Sequence, residues 1–355
     1  MAVIKPVVLR SVNRALRNLG GEKSPVIAGH KLLYRCNLEC KMCPFWRRED
    51  EELLQLADEV RIMESLARAG VSFLGFEGGE PLLRRDVGEI LREAHARFHT
   101  SLVTNGWLLE HRLGEIAPHL DLLFVSLDGI GETHDRLRGI PRSYERAVRG
   151  IRSSRSEVPT FISHTVTRDN LDHAEKIVEL AEQLDIGVTV QIAYDYQTAD
   201  PMSPQRGRLR PTIERLRDLR KSGAPLMESV DYFDAILNSW YEGKGWRCKP
   251  WLTINIDPSG RIVLPCYVLQ EYQGQLPVWD VDIRKLWNSF DWAPYESCNK
   301  CALACYLEPS LFRWTDFSSL RDRVFDAAFH YMERTPRRSS RPESSRLIQI
   351  ETPAA

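Results

Sequence analysis

The chain of 355 residues has almost no net charge, with 48 Lys+Arg against 49 Asp+Glu. That balance offers no global electrostatic footprint for nucleic acid or an anionic surface. Apolar runs are short, and none approaches the ~18 residues that a membrane span needs. The N-terminus lacks the continuous apolar core and small-residue cleavage site of a secretory signal, so the reading is a cytoplasmic protein. Cysteine is scarce, at eight residues, but the eight fall in short-spaced sets. Without a secretory signal, such sets read as metal ligands in a reducing compartment rather than as disulfides. A hydrophobic content of 43% fits a soluble globular chain holding one large α/β domain and a smaller appendage.

The densest set is Cys36, Cys40 and Cys43, spaced C-x3-C-x2-C. Three thiolates on one short loop hold three irons of a [4Fe–4S] cube and leave the fourth iron open to another ligand. A zinc knot is the competing reading. Zinc prefers four N/S ligands in two close pairs, however, and no histidine lies beside the triplet to complete one.

The triplet resembles the signature of the radical S-adenosylmethionine (radical SAM) enzymes. The resemblance implies that the open iron chelates the amino and carboxylate groups of SAM. A reduced cluster then passes one electron into the sulfonium, releasing methionine and a 5′-deoxyadenosyl radical that takes hydrogen from a substrate. The residue before the third cysteine, usually aromatic and packed by the adenine in this family, is Met42 here. An apolar, adaptable thioether stands in for it.

From His30 the chain alternates between patterns of period two and period 3.6. Strands are predicted over residues 31–35, 72–77, 100–104, 122–127, 160–166 and 188–193. Helices are predicted over 51–69, 85–98, 108–119, 144–153 and 171–184. Strands separated by helices with short links argue for a parallel sheet with right-handed crossovers, and six strands are too few for a closed eight-fold barrel. The fold class is α/β. A partial (β/α)6 TIM-like barrel is what the resemblance implies, and the strand count agrees.

The polar motifs fall just after strand C-termini, where such a fold binds ligands. Gly78-Gly79-Glu80-Pro81 follows the second strand. Two glycines let the backbone approach a ligand, and a carboxylate accepts from an ammonium group. Taken alone the stretch is an ordinary turn; it resembles the family's GGEP motif, which holds the SAM amino group. Thr104-Asn105-Gly106 and Ser126-Leu127-Asp128-Gly129 end the third and fourth strands. Both are common turn formers, and both resemble the stretches where the family places polar groups for the SAM ribose and carboxylate, giving Asn105, Ser126 and Asp128. In His134-Asp135-Arg136-Leu137-Arg138-Gly139, the resemblance puts Arg138 on the SAM carboxylate, which a planar guanidinium pairs in bidentate fashion. An arginine on a surface loop is the plainer reading. His134 reads as a residue that structures the loop rather than a catalyst.

Five cysteines remain. Cys248 and Cys266 flank a predicted hairpin, with residues 251–256 and 261–264 as strands and Asp257-Pro258-Ser259-Gly260 as the turn. Cys298, Cys301 and Cys305 follow as C-x2-C-x3-C. A structural zinc site is the competing reading. The set resembles the SPASM/twitch extension of radical SAM enzymes, and its size fits one auxiliary [4Fe–4S] cluster. Pairing C-x17-C with C-x2-C resembles the shorter twitch pattern, which leaves Cys305 as the extra thiol. The sulfatase-maturing branch typically has an Asp general base after the hairpin cysteine; Tyr267 stands there, so that role is not carried over.

The organisation expected is an amphipathic helix and lead-in (1–29), a radical SAM core (30–194), a helical linker (195–245), an auxiliary-cluster region (246–310), a closing helix (311–334) and a disordered tail (335–355). Within the linker, helices are predicted over 211–221 and 230–242. Residues 5–19 place Val8, Val12, Ala15, Leu16 and Leu19 on one helical face with arginines around the others. Such a helix packs on its own domain or lies on anionic lipid. About 30 residues precede the first strand, so neither a cobalamin-binding domain nor a fused peptide-recognition domain is expected. No RNA-binding module is expected either. The expected function is a radical SAM enzyme abstracting hydrogen from a small molecule or lipid, with ferredoxin or flavodoxin as reductant. The alternatives are a maturase acting on a precursor peptide delivered in trans, and a non-catalytic iron–sulfur or zinc scaffold. No residue is singled out as the catalytic acid, base or hydrogen donor.

Overall fold

Alternation of period two builds the sheet. Along Thr160–Val166 (β5) every second residue is buried, the pattern of a strand with one face packed under helices. Ile27–Lys31 (β1), Phe73–Glu77 (β2), His99–Thr104 (β3), Leu122–Ser126 (β4), β5 and Gly187–Ile192 (β6) run parallel, each beside the next. The structure, a computed structural model, describes residues 21–49 and 53–311.

Helices Leu56–Ala69 (α1), Val87–His95 (α2), Leu109–Ile116 (α3), Glu132–Arg138 (α4), Ser143–Ser154 (α5) and Ala174–Leu184 (α6) connect these strands. In α1 the buried Glu59, Ile62, Met63, Leu66 and Ala69 recur at helical spacing, and Gly70 ends the helix with φ 99°, a left-handed cap that glycine adopts without penalty. The helix-facing side of the sheet is apolar, with Ala28, Leu74, Phe76, Leu102, Leu123, Val125 and Ile162 in one core. On the opposite side, at the ends of β1 and β2, Gly29, Lys31, Gly75 and Glu77 alternate with those core positions.

The C-terminal third adds Arg206–Lys221 (α7), Val230–Tyr241 (α8), Thr253–Ile256 (β7), Arg261–Leu264 (β8), Tyr272–Pro277 (β9), Ile283–Ser289 (α9), Ala293–Glu296 (α10) and Ala304–Leu311 (α11). The hairpin is not a separate appendage. β7 pairs in parallel with β1, β8 and β9 follow antiparallel, and one nine-stranded open sheet runs β6-β5-β4-β3-β2-β1-β7-β8-β9.

Several expectations need correcting. The first strand ends at Lys31 rather than Arg35, because the carbonyls of Leu33 and Arg35 are taken by the amides of Gly79 and Glu80. β9 was not predicted, since its residues are mostly exposed and show no alternation. The stretch containing Arg138, read as loop, is helix α4; its only buried residues are His134 and Leu137, too few for a periodic signal. α7 begins at Arg206, five residues before the predicted start at Pro211. The predicted helices over 5–19 and 316–334 and the tail lie outside the described residues.

Candidate active site

The cysteine loop leaves β1 and is fastened from three sides. Gly79 N–H donates to Leu33 O (2.7 Å), Glu80 N–H to Arg35 O (3.0 Å), and Lys41 N–H to Leu137 O on α4 (3.0 Å). Each sulfur has an N–H donor. Leu38 N reaches Cys36 Sγ at 3.4 Å, Phe45 N reaches Cys43 Sγ at 3.4 Å, and Arg138 Nη1 reaches Cys40 Sγ at 3.7 Å. Asn105 Nδ2 adds a second contact to Cys36 at 3.8 Å. Burial pushes the thiols up, Cys36 to about 12 and Cys40 to about 11, with Arg138 opposing the rise at Cys40. Three sulfurs on one loop, each already aimed at by a donor and two of them needing positive charge nearby to ionise, fit an iron–sulfur cube whose irons supply that charge.

The neighbouring motif residues are present, but two work differently from the expectation. A Cβ on Gly79 would lie 2.2 Å from the carbonyl oxygens of Tyr34 and Arg35, so the close approach these glycines permit is to the chain's own backbone. Glu80 is wholly buried, and its carboxylate accepts from Leu82 N (3.0 Å), Thr104 Oγ1 (2.8 Å) and Asn105 N (2.8 Å). It ties the ends of β2 and β3 together rather than offering a free carboxylate. Pro81 opens the buried turn that follows.

Asp128 and Arg138 form a buried pair, Oδ2 to Nη2 at 2.6 Å, and Thr165 N donates to Asp128 Oδ1 at 2.8 Å. Arg138 thus holds Asp128 with one amino group and faces Cys40 with the other. His134 accepts from Asp128 N at Nδ1 (3.0 Å), and burial, with Arg138 nearby, pushes its imidazole well below the ordinary value. A neutral ring that orders the strand end matches the structuring role expected of it. Ser126 ends β4 and is buried. Met42 packs against Leu137, Ala193 and Met202. Asn37, Phe45 and Asn170 carried no sequence signal. Asn37 Oδ1 accepts from Asn105 (2.8 Å), and Asn170 bridges the carbonyls of Asp128 (2.7 Å) and Thr165 (2.9 Å).

The second cysteine set divides four to one. Cys248, Cys266, Cys298 and Cys301 line one cavity of about 390 Å³, counting its mouth, together with apolar side chains including Trp246, Leu303 and Tyr306. Cys305 is not in that lining. Its surface is open, yet surrounding protein pushes its thiol up, Glu77 adds to the rise and Lys31 opposes it. Between the two sets run aromatic contacts. Phe45 meets Tyr196 and Tyr267 at 6.0 Å each, Tyr196 meets Tyr194 at 5.1 Å, and Tyr194 packs on the cluster of Cys266 and Cys301.

A parallel open barrel with a donor-lined cysteine triplet at the C-terminal strand ends defines a class of cluster-bearing enzymes. Residues 31–181 match the family model of the radical SAM superfamily, and residues 188–324 match a domain of unknown function, DUF3463. Residues 31–181 thus form a radical SAM domain, followed by a C-terminal domain, and the protein is a radical SAM enzyme with a [4Fe–4S] cluster and S-adenosylmethionine as cofactors. It is 24% identical to a PqqA peptide cyclase of Granulibacter bethesdensis over 299 residues, covering 76% of this chain and 78% of that one. Among solved structures it is similar to Streptococcus suis SuiB bound to precursor peptide SuiA, with TM-score 0.65, 18% identity, and 81% of this chain and 72% of that one covered. It also resembles anSMEcpe with bound AdoMet and Kp18Cys peptide, at TM-score 0.56, 16% identity, and 87% and 99% coverage.

Proposed function

We propose that Cys36, Cys40 and Cys43 hold the SAM-cleaving cluster and that Cys248, Cys266, Cys298 and Cys301 hold one auxiliary [4Fe–4S] cluster. The observation that carries this reading is the four-to-one division of the second set, which puts four thiols around one cavity. Asn105, Ser126, Asp128, Arg138, Met42 and the Gly78–Gly79 backbone surround the cofactor. Arg138 offers its guanidinium to the SAM carboxylate, and Glu80 acts by holding Asn105 in place. The SAM supplies the radical that takes a hydrogen atom from the substrate; the chain's residues bind, orient and exclude water.

The substrate on this reading is a peptide, supported by a relative that spans both cysteine regions and is named a peptide cyclase. A ferredoxin or flavodoxin supplies the electron, and the enzyme works in the cytoplasm. Residues 5–19 give a peripheral membrane contact, which a liposome flotation assay on a chain lacking them checks. The central test is 5′-deoxyadenosine formation by anaerobically reconstituted, dithionite-reduced protein beside a Cys36→Ala/Cys40→Ala/Cys43→Ala control. Product in the wild type and none in the control is expected. Equal amounts in both would overturn the assignment.

A further inference from the structure

The side of the sheet facing away from the helices carries one ion pair that the reading above leaves unused. Lys31, the last residue of β1, is 2% exposed, and its Nζ lies 3.2 Å from Glu77 Oε2, at the end of β2. The ammonium is boxed between two aromatic faces, 3.9 Å from the Phe45 centroid and 4.1 Å from that of Tyr267. Those rings belong to the two cysteine regions: Phe45 donates its N–H to Cys43, and Tyr267 follows Cys266. The pair therefore sits between the proposed clusters. Gly29 makes room for it, since a Cβ there would come within 3.3 Å of Glu77 Oε1 and 3.7 Å of Asn255 Oδ1. Lys31 is fixed, whereas the Glu77 side chain stays 36% exposed. The Nδ2 of Asn255, a residue 2% exposed, has no partner among the described residues.

A buried lysine held by two rings and paired with a half-open carboxylate is an arrangement that keeps the carboxylate aimed. Phe76, its chain neighbour, points into the core, so Glu77 points to the opposite side. Phe45, over the Lys31 ammonium, also meets Tyr196 at 6.0 Å, so the ion pair and that ring border one space.

We propose that Glu77 is the substrate-facing base of this enzyme and that Lys31 is its positioning residue. The proposal rests on the radical SAM and auxiliary-cluster reading above. The deoxyadenosyl radical takes a hydrogen atom from a substrate carbon bonded to an N–H or O–H group. Glu77 takes the proton of that group, and the remaining electron passes to the oxidised auxiliary iron–sulfur centre. The substrate thus loses a hydrogen atom, a proton and an electron, and the carbon–heteroatom bond gains double-bond character. A half-open carboxylate aimed by a fixed ammonium, between the two proposed clusters, is suited to this step.

The test uses reconstituted holoenzyme, SAM, and three fractions of native-host lysate from cells grown in heavy water: peptide, lipid-soluble and small polar. Wild type is compared with Glu77→Gln, Glu77→Asp and Lys31→Met. Iron content and the SAM-induced change in the reduced-cluster EPR signal should be unchanged in all three variants. In Glu77→Gln, deuterium should still enter 5′-deoxyadenosine within about threefold of wild type, while oxidised product falls about 100-fold or more. Glu77→Asp should restore part of the product. If Glu77→Gln loses deuterium transfer in proportion to product, or keeps full product, Glu77 is not the base. Transfer in the wild type from the lipid or polar fraction alone overturns the peptide substrate but still scores Glu77. No wild-type transfer from any fraction overturns both.

Discussion

At the scale of single residues, the buried carboxylates separate into distinct roles. Glu80 accepts from three donors, Glu77 is half open, and Glu228 is buried with Oε1 on Thr189 Oγ1 (2.5 Å) while Oε2 has no partner among the described residues. Burial pushes Glu228 up to about 8, the bond from Thr189 opposes the rise, and Glu308 adds to it. A carboxyl raised in the folded state holds its proton longer than in the unfolded chain. Its contribution is therefore full below the ordinary value of 4.5 and is lost as pH climbs from there to about 8. Glu228→Gln should flatten that decline, gaining up to about 1.4 kcal/mol relative to wild type per pH unit across the window. Urea midpoints from about pH 5 to about pH 9 check it; parallel curves for the two proteins would contradict it. None of these distinctions was legible in the sequence. The cysteines were, because three thiols crowded into eight residues suit a metal centre and little else. A lone Glu before two glycines has no spacing to betray its partner, and Lys31 meets Glu77 only because β1 and β2 are in register.

At the scale of elements, the turn after β2 is the joint that seats the cysteine loop. Gly79 lies against the backbone of Tyr34 and Arg35, and the Arg35 carbonyl cannot swing away, because its oxygen is already bonded to Glu80 N. Gly79→Ala should therefore pry the loop from β2, costing about 1–3 kcal/mol and lowering iron bound at the triplet. Gly207→Ala, in α7 at a site with nothing within 4 Å, should leave the iron unchanged and raise stability by up to about 1 kcal/mol, and serves as the control. Thermal melts and iron content per chain check both. The elements most legible from sequence were the long alternating strands and amphipathic helices of the first half, β5 above all. Short elements whose burial is slight or tertiary in origin were not. α4 buries two side chains, β9 almost none, and the end of β1 is decided by which carbonyls the distant Gly79–Glu80 amides capture.

At the scale of the whole molecule, the parallel pairing of β7 with β1 makes the second cysteine region continuous with the first. The strand that leads into the triplet is flanked by β2 on one side and β7 on the other, so both proposed clusters share one sheet. The two sites are nevertheless held by separate loops, and this separation can be measured. Cys301→Ala should remove the auxiliary cluster and lower iron from about eight to about four atoms per chain, leaving the triplet's bonds from Leu38, Phe45 and Arg138 intact. SAM cleavage without substrate should then persist, while any conversion needing a second electron acceptor should stop. Cys305→Ala should keep about eight irons, because Cys305 lies outside the cavity that gathers the other four. Iron analysis and EPR of the two reduced variants decide between this arrangement and one in which Cys305 is a ligand, where the iron losses would be equal. Iodoacetamide labelling of the holoenzyme gives an independent reading: every cluster-bound thiol should be protected, whereas a non-ligand Cys305, its thiol pushed up by burial, should be alkylated increasingly as pH is raised.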